Sequence, residues 1–209
     1  KSWVFLTLKK KHMIHLIHCI ATLPTSFKDQ SMTKEEQNKT VFFVNDEYYQ
    51  QSMDNTLPLS EFNETTYEVI IAIGDSKVRE DIVKKLPNTT RYFTFVHPSS
   101  QIHSEDVEIG EGSIICAGCI LTTNIKIGKH SHLNLLTTIG HDNKIGNYFT
   151  TAPGAKISGN CHIGDHVYFG TNSSVRQKIN ICDNVVIGLN AGVVKDIKEC
   201  GVYVGVPVK

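Results

Sequence analysis

The chain has 209 residues with 21 Lys+Arg against 21 Asp+Glu, 40% hydrophobic and 20% charged. That length allows one large domain or two small ones, and the composition is globular. A formal net charge of zero argues against nucleic acid as the main partner, because phosphate binding needs a basic surplus. No apolar run reaches the length of a membrane span.

The first elements alternate strand and helix. Trp3–Leu8 reads as a strand and Met13–Ile20 as a helix. Met13–Leu23, behind Lys9, Lys10 and Lys11, has the outline of a signal peptide but lacks a small-residue cleavage site. Residues 24–40 are polar and read as a loop. Val41–Val44 is a short apolar run that stops at Asn45-Asp46, as a strand ending in a turn should. Val69–Ile73 is apolar without interruption and rich in β-branched residues, the mark of a strand buried on both faces. Lys77–Leu86 then spaces Val78, Ile82 and Leu86 as one helical face, and Pro87 ends it. A small parallel sheet of Rossmann-like type follows from this order. The boundary falls at His97-Pro98, giving an α/β domain over 1–96 and a second domain over 97–209.

The second half repeats every six residues. From Ile109 the series runs Ile115, Leu121, Ile127, Leu133, Ile139, Ile145, Thr151, Ile157, Ile163, Phe169, Val175, Ile181, Ile187, Val193. Fourteen of these fifteen are apolar, where chance would give about six. Two places earlier the residues are mostly small or β-branched, and Gly often follows the periodic position. Neither a lone helix nor an alternating βα pattern repeats at six. A parallel β-helix does: each short strand carries one large inward side chain, a small one fits beside the corner, and Gly eases the turn. Three sides per coil make about five coils.

With this repeat in place, the chain resembles the hexapeptide-repeat sugar acetyltransferases, the group that includes sialic acid O-acetyltransferase and the bacillosamine-pathway N-acetyltransferase. The resemblance rests on Val69-Ile-Ile-Ala-Ile-Gly-Asp75, His97-Pro98-Ser99, the hexads, Ile139-Gly140-His141-Asp142 and the closing Gly201–Pro207 segment. It implies a mainly β fold with a left-handed parallel β-helix, acetyl-CoA as cosubstrate and no metal. It also implies a homotrimer with the active site between subunits, and a nucleotide-sugar substrate. The acceptor it implies is the amino group of a UDP- or dTDP-linked 4-amino sugar. O-acetylation of a sialic-acid-like sugar and a non-catalytic trimeric scaffold are the alternatives. One departure from the pattern stands out: Trp3–Leu8 is followed by Lys9–His12, with no Gly before Gly74. Backbone amides then cannot approach a pyrophosphate at that loop as closely as a Gly-rich turn allows.

Acetyl transfer from a thioester needs a base, an oxyanion donor and a groove for the pantetheine arm. His141 is the candidate base, with an imidazole suited to neutral pH. The resemblance makes Asp142 its orienting partner, Asn134 a residue that positions the acceptor, and Gly159 the backbone donor to the oxyanion. It places Gly170, Gly188 and Ala191 beside the coenzyme's arm. A family His nine places after the base is Thr150 here.

Other constellations carry less. Cys116-Ala-Gly-Cys119 has the spacing of half a zinc site, but Cys119 falls on an inward position that reads as core. His12, His15 and His18 could share a helix face. His162 and His166, with His141, invite comparison with β-helical carbonic anhydrases, whose spacing they do not match. Six Cys is not disulfide-scaffold density, and the Asn-x-Ser/Thr triplets at Asn38, Asn63, Asn88 and Asn172 matter only outside the cell. The expectation is a cytoplasmic protein. The chain opens on Lys1 and stops soon after Pro207, which leaves room for further residues.

Overall fold

The computed structural model describes residues 2–7, 41–44, 51, 56–62 and 67–209. The expected helix over Met13–Ile20, the loop over 24–40, the segment Lys9–His12, and His12, His15 and His18 lie outside the described residues. The chain divides into two compact units at Phe93/Thr94.

The first unit holds a five-stranded parallel sheet. Its strands are β1 (Ser2–Thr7), β2 (Val41–Val44), β3 (Thr56–Pro58), β4 (Tyr67–Ile71) and β5 (Arg91–Tyr92), in the spatial order β3-β2-β1-β4-β5. The sequence reading had no strand at 56–58. Its Pro58 suits an edge position, where a missing N–H costs no ladder bond, and β3 is an edge. A helix spans Ser76–Lys85. Asp75 caps it, its Oδ1 accepting from the N–H groups of Lys77 (2.9 Å) and Val78 (3.1 Å). Phe43, Val69, Ile71, Ile82 and Leu86 form the core of this unit.

The second unit is a three-sided parallel β-solenoid. The first face carries seven strands, from Phe95–Val96 to Gly201–Tyr203. The second carries six, from Gln101–Ile102 to Gly192–Val193, and the third carries five, from Glu108–Ile109 to Asn180–Ile181. Strands pair with the residue eighteen places on, as in Leu121↔Ile139 and Ile139↔Ile157. The periodic side chains from Ile115 to Val193 are all buried and fill one continuous core.

Seven strands on one face mean about six turns, against the five read from the hexads. The additional strands lie where the phase slips. Val96 pairs with Ile115 and Ile102 with Leu121, a step of nineteen, because the turn before Glu108 holds one extra residue. Ile187 pairs with Tyr203, a step of sixteen, because two residues are missing between Val193 and Ile197.

Two details depart from the simple pattern. Thr151 is the polar member of the large series, and Phe149 occupies the small position beside it, edge-on to Phe169 at 5.8 Å between ring centroids. The two exchange bulk, so the interior stays filled. The Thr151 hydroxyl sits 2.7 Å from that of Thr137 and accepts from the Asn134 N–H at 2.9 Å, so it is not stranded in the core.

The second detail concerns the turns. Positive φ does not fall on the glycines that follow the periodic residue. It falls three places after that residue, at Asn124, His130, Leu136, Asp142, Tyr148, Asn160, His166, Asn172, Lys178, Asn184 and Asn190, with φ between 50° and 62°. Asn and Asp tolerate this conformation better than other L-residues, which explains their frequency here. Gly112, Gly118 and Gly154 take the same position with φ between 70° and 74°, whereas the glycines that directly follow the periodic residue serve close approach. A Cβ on Gly140 would lie 2.8 Å from the Gly159 nitrogen in the next coil.

Candidate active site

The corner between the second and third faces is built by Ile139, Gly140, His141, Asp142 and Asn143. Ile139 points inward and Gly140 lets the coils touch. Asp142 turns the chain with φ 59°. His141 is thereby thrown outward, its side chain 58% exposed.

His141 Nδ1 lies 2.6 Å from Asp142 Oδ2. The other oxygen, Oδ1, accepts from Asn124 Nδ2 at 2.6 Å. Hydrogen bonds from His141 and then from Asn124 hold the Asp142 carboxyl below the ordinary carboxylate range. A carboxylate on Nδ1 assigns the ring proton to that nitrogen and leaves Nε2 as the acceptor.

Nε2 lies over Gly159 of the next coil. A Cβ on Gly159 would come within 2.6 Å of it. The Gly159 carbonyl accepts from the Lys178 N–H at 3.0 Å, while its own N–H makes no hydrogen bond among the described residues. Gly159 itself is buried beneath the ring, so a basic nitrogen at the surface and an uncommitted backbone donor just under it lie side by side. That pair is what deprotonation of an acceptor and stabilisation of an oxyanion require.

Behind the corner is a residue that the sequence reading passed over. Asn143 is fully buried, two places before Ile145, where its neighbours in the series are mostly small or apolar. Its Nδ2 donates to the carbonyls of Gly140 (2.7 Å) and Ser158 (3.0 Å), and its Oδ1 accepts from the Cys161 N–H (3.0 Å). It ties the His141 corner to the Gly159 corner. The polar residue inside an apolar column was the available signal. Asn143→Ala should cost about 3 kcal/mol, because three backbone groups lose their partner in a dry interior. Denaturant unfolding measures this, and a change within about 0.5 kcal/mol would contradict the assigned role.

The remaining expected residues lie elsewhere. Asn134, Gly170 and Gly188 stand in one column on the corner between the first and second faces, where each follows a strand of the first face. Asn134 Oδ1 accepts from the Leu135 N–H at 2.8 Å. Ala191 is buried, its N–H donating to the Gly188 carbonyl at 3.3 Å and its carbonyl accepting from the Ser174 N–H at 2.9 Å. Thr150 is buried in the first face between His132 and Tyr168. Within this chain these residues are not brought to His141. Cys119 is buried and its Sγ donates to the Asn134 carbonyl at 3.1 Å. Among the described residues no group of three His, Cys, Asp or Glu side chains is placed to hold a metal ion.

No family model matches the chain. It is similar to GDP-perosamine N-acetyltransferase of Escherichia coli O157:H7, with 34% identity over 110 residues, which is 52% of this chain and 49% of that one. The match thus spans about half the length of the curated relative. Among solved structures, WeeI from Acinetobacter baumannii AYE matches with a TM-score of 0.80 and 29% identity, covering 100% of this chain and 98% of the other. The acetyltransferase domain of PglB from Neisseria gonorrhoeae FA1090, in complex with acetyl coenzyme A, matches with a TM-score of 0.78 over the same shares. At 20% identity that likeness concerns the fold alone. These similarities bear out the resemblance to hexapeptide-repeat sugar acetyltransferases that the hexads carry together with Val69–Asp75 and Ile139–Asp142.

Proposed function

We propose that this chain transfers an acetyl group from acetyl-CoA to the amino group of a nucleotide-linked amino sugar. The observation that carries the reading is the His141–Asp142 pair lying over Gly159. The curated relative supports a sugar amine as acceptor over the hydroxyl of a sialic-acid-like sugar. Its name also carries a guanosine nucleotide, where the sequence reading expected uridine or thymidine. GDP-linked amino sugars are therefore placed first, with UDP- and dTDP-linked ones behind them.

Acetyl-CoA supplies the acyl group. His141 Nε2 removes a proton from the acceptor amine as its nitrogen attacks the thioester carbonyl carbon. The Gly159 N–H donates to the oxygen on which negative charge builds. Asp142 keeps the proton on Nδ1 and stabilises the imidazolium. As the carbon–sulfur bond breaks, His141 returns the proton to the departing sulfur. The products are an N-acetyl sugar and free coenzyme A, and no covalent enzyme intermediate forms.

In this reading the solenoid winds left-handed and three copies assemble, with His141 of one subunit meeting a coenzyme held by its neighbour. The exposed corner around His141 supports an arrangement in which another subunit completes the site. The column of Asn134, Gly170 and Gly188, with Ala191 packed beneath it, is then the part supplied across the subunit boundary. The parallel order β3-β2-β1-β4-β5 supports a Rossmann-like role for the first unit in holding the nucleotide. No helix among the described residues is long and apolar enough to cross a membrane.

The test is the mass of the product formed from acetyl-CoA with GDP-, UDP- and dTDP-linked 4-amino sugars and free sialic acid. One added acetyl group on nitrogen, fastest with a GDP sugar, is expected. Acetylation of sialic acid alone would replace this reading with the hydroxyl acceptor.

A further inference from the structure

We propose that Asn124 is a positioning residue for the His141–Asp142 pair, supplied by the preceding coil. The proposal rests on the acetyl-transfer reading for its kinetic consequence and on geometry for its physical content. An aspartate that orients a histidine has two oxygens, and only one is engaged by the ring. Asp142 uses Oδ2 for His141 Nδ1, and Oδ1 is taken by Asn124 Nδ2 at 2.6 Å. With both oxygens bonded, the carboxylate cannot rotate about its Cβ–Cγ bond without losing a charge-assisted hydrogen bond. His141 Nε2 is thus kept facing Gly159.

Asn124 is itself fixed from one coil further back. Its backbone N–H donates to Asp106 Oδ1 at 2.8 Å, and the Thr123 hydroxyl donates to the same carboxylate at 3.2 and 3.0 Å. Hydrogen bonds from Ser104 and then from the Asn124 backbone hold the Asp106 carboxyl below its ordinary range, so it stays ionised as an acceptor. Asp106, Asn124 and Asp142 lie eighteen residues apart, one per coil, along a single corner. Asn124 has φ 50° and Asp142 φ 59°, so both bear their side chains from the left-handed conformation that Asn and Asp tolerate. The alternation of acid, amide and acid matters. An amide between two carboxylates donates to one with its side chain and to the other with its backbone, whereas a third acid would repel both.

The experiment uses the full chain, with Asn124→Ala and Asn124→Asp beside the wild type. Three quantities are read: the titration midpoint of the Asp142 carboxyl by ¹³C NMR, kcat and KM for acetyl-CoA, and the thermal midpoint. Removing a donor to a carboxylate favours its protonated form, so Asn124→Ala should raise the Asp142 midpoint. It should lower kcat about tenfold with KM unchanged, the usual effect of losing a group that orients a functional side chain. Asn124→Asp sets a carboxylate between Asp106 and Asp142, and should lower kcat further while keeping the side-chain shape and the turn.

A wild-type Asp142 midpoint in Asn124→Ala would overturn the proposal, whether kcat stayed the same or fell together with thermal stability. Wild-type kcat in Asn124→Asp would overturn it as well. If the wild type acetylates no acceptor, the acetyl-transfer reading fails separately, and the Asp142 titration still decides whether Asn124 positions the carboxylate.

Discussion

His141→Ala is expected to lower kcat by about 10²- to 10⁴-fold, the range seen when a general base is removed. An amine attacks a thioester with a proton still on nitrogen, and that proton needs an acceptor within hydrogen-bond reach. In the proposed mechanism His141 Nε2 is that acceptor, since Nδ1 is committed to Asp142 at 2.6 Å. The side chain is 58% exposed and supports no core contact, so the fold should be unaffected. Acetyl-CoA affinity should be unchanged, because the ring meets only the thioester end of the coenzyme and the groove of the neighbouring subunit holds its arm. The check is the initial rate of free thiol release at saturating acetyl-CoA, with the thermal midpoint as control. A loss smaller than tenfold would remove His141 from the role of base.

Gly159→Ala carries the second large effect, expected to be about 10²-fold in kcat. Its Cβ would sit 2.6 Å from His141 Nε2 and within 2.9 Å of two further ring atoms. These distances are too short for any real contact, so the ring must swing away and lose either its place over Gly159 or its bond to Asp142. A displacement of about 1 Å is enough for a loss of this size. The methyl group also crowds the uncommitted N–H beside it. φ at Gly159 is not in the left-handed region, so the backbone tolerates alanine and the protein should fold. Near-normal turnover in Gly159→Ala would mean that the ring works from another position. A crystal structure of the variant would then show where the imidazole went.

The solenoid was legible because its interior is one-dimensional. An apolar residue every six places, unbroken from Ile109 to Ile145 and resumed at Ile157, can be buried only by a chain that turns a corner every six residues. The end coils were not legible, since the extra residue before Glu108 and the two missing after Val193 shift the phase that reveals the rest. The resemblance paired His141 with Asp142, and the pair holds because neighbours in sequence at one corner remain neighbours in space. Asn124 and Asn143 were not read. The first is eighteen residues from its partner, and the second is polar where the pattern asks for a filler. The glycines after the periodic residue were read for turn-making, but they serve contact between coils, and the left-handed corner residues are mostly Asn, Asp and His, with Gly112, Gly118 and Gly154 among them. Asn134 is seven residues before His141, yet a six-residue side sets the two on different corners. Sequence distance alone could not show that.

An acetyl-CoA-dependent enzyme and a scaffold differ first in whether the solenoid binds the coenzyme. The most direct measurement is calorimetric titration of acetyl-CoA into the wild-type chain and into His141→Ala. Saturable binding at one site per chain, with the same affinity in both proteins, is expected. No heat of binding in the wild type would contradict the acetyl-transfer reading and leave a β-solenoid that serves only as a structural support.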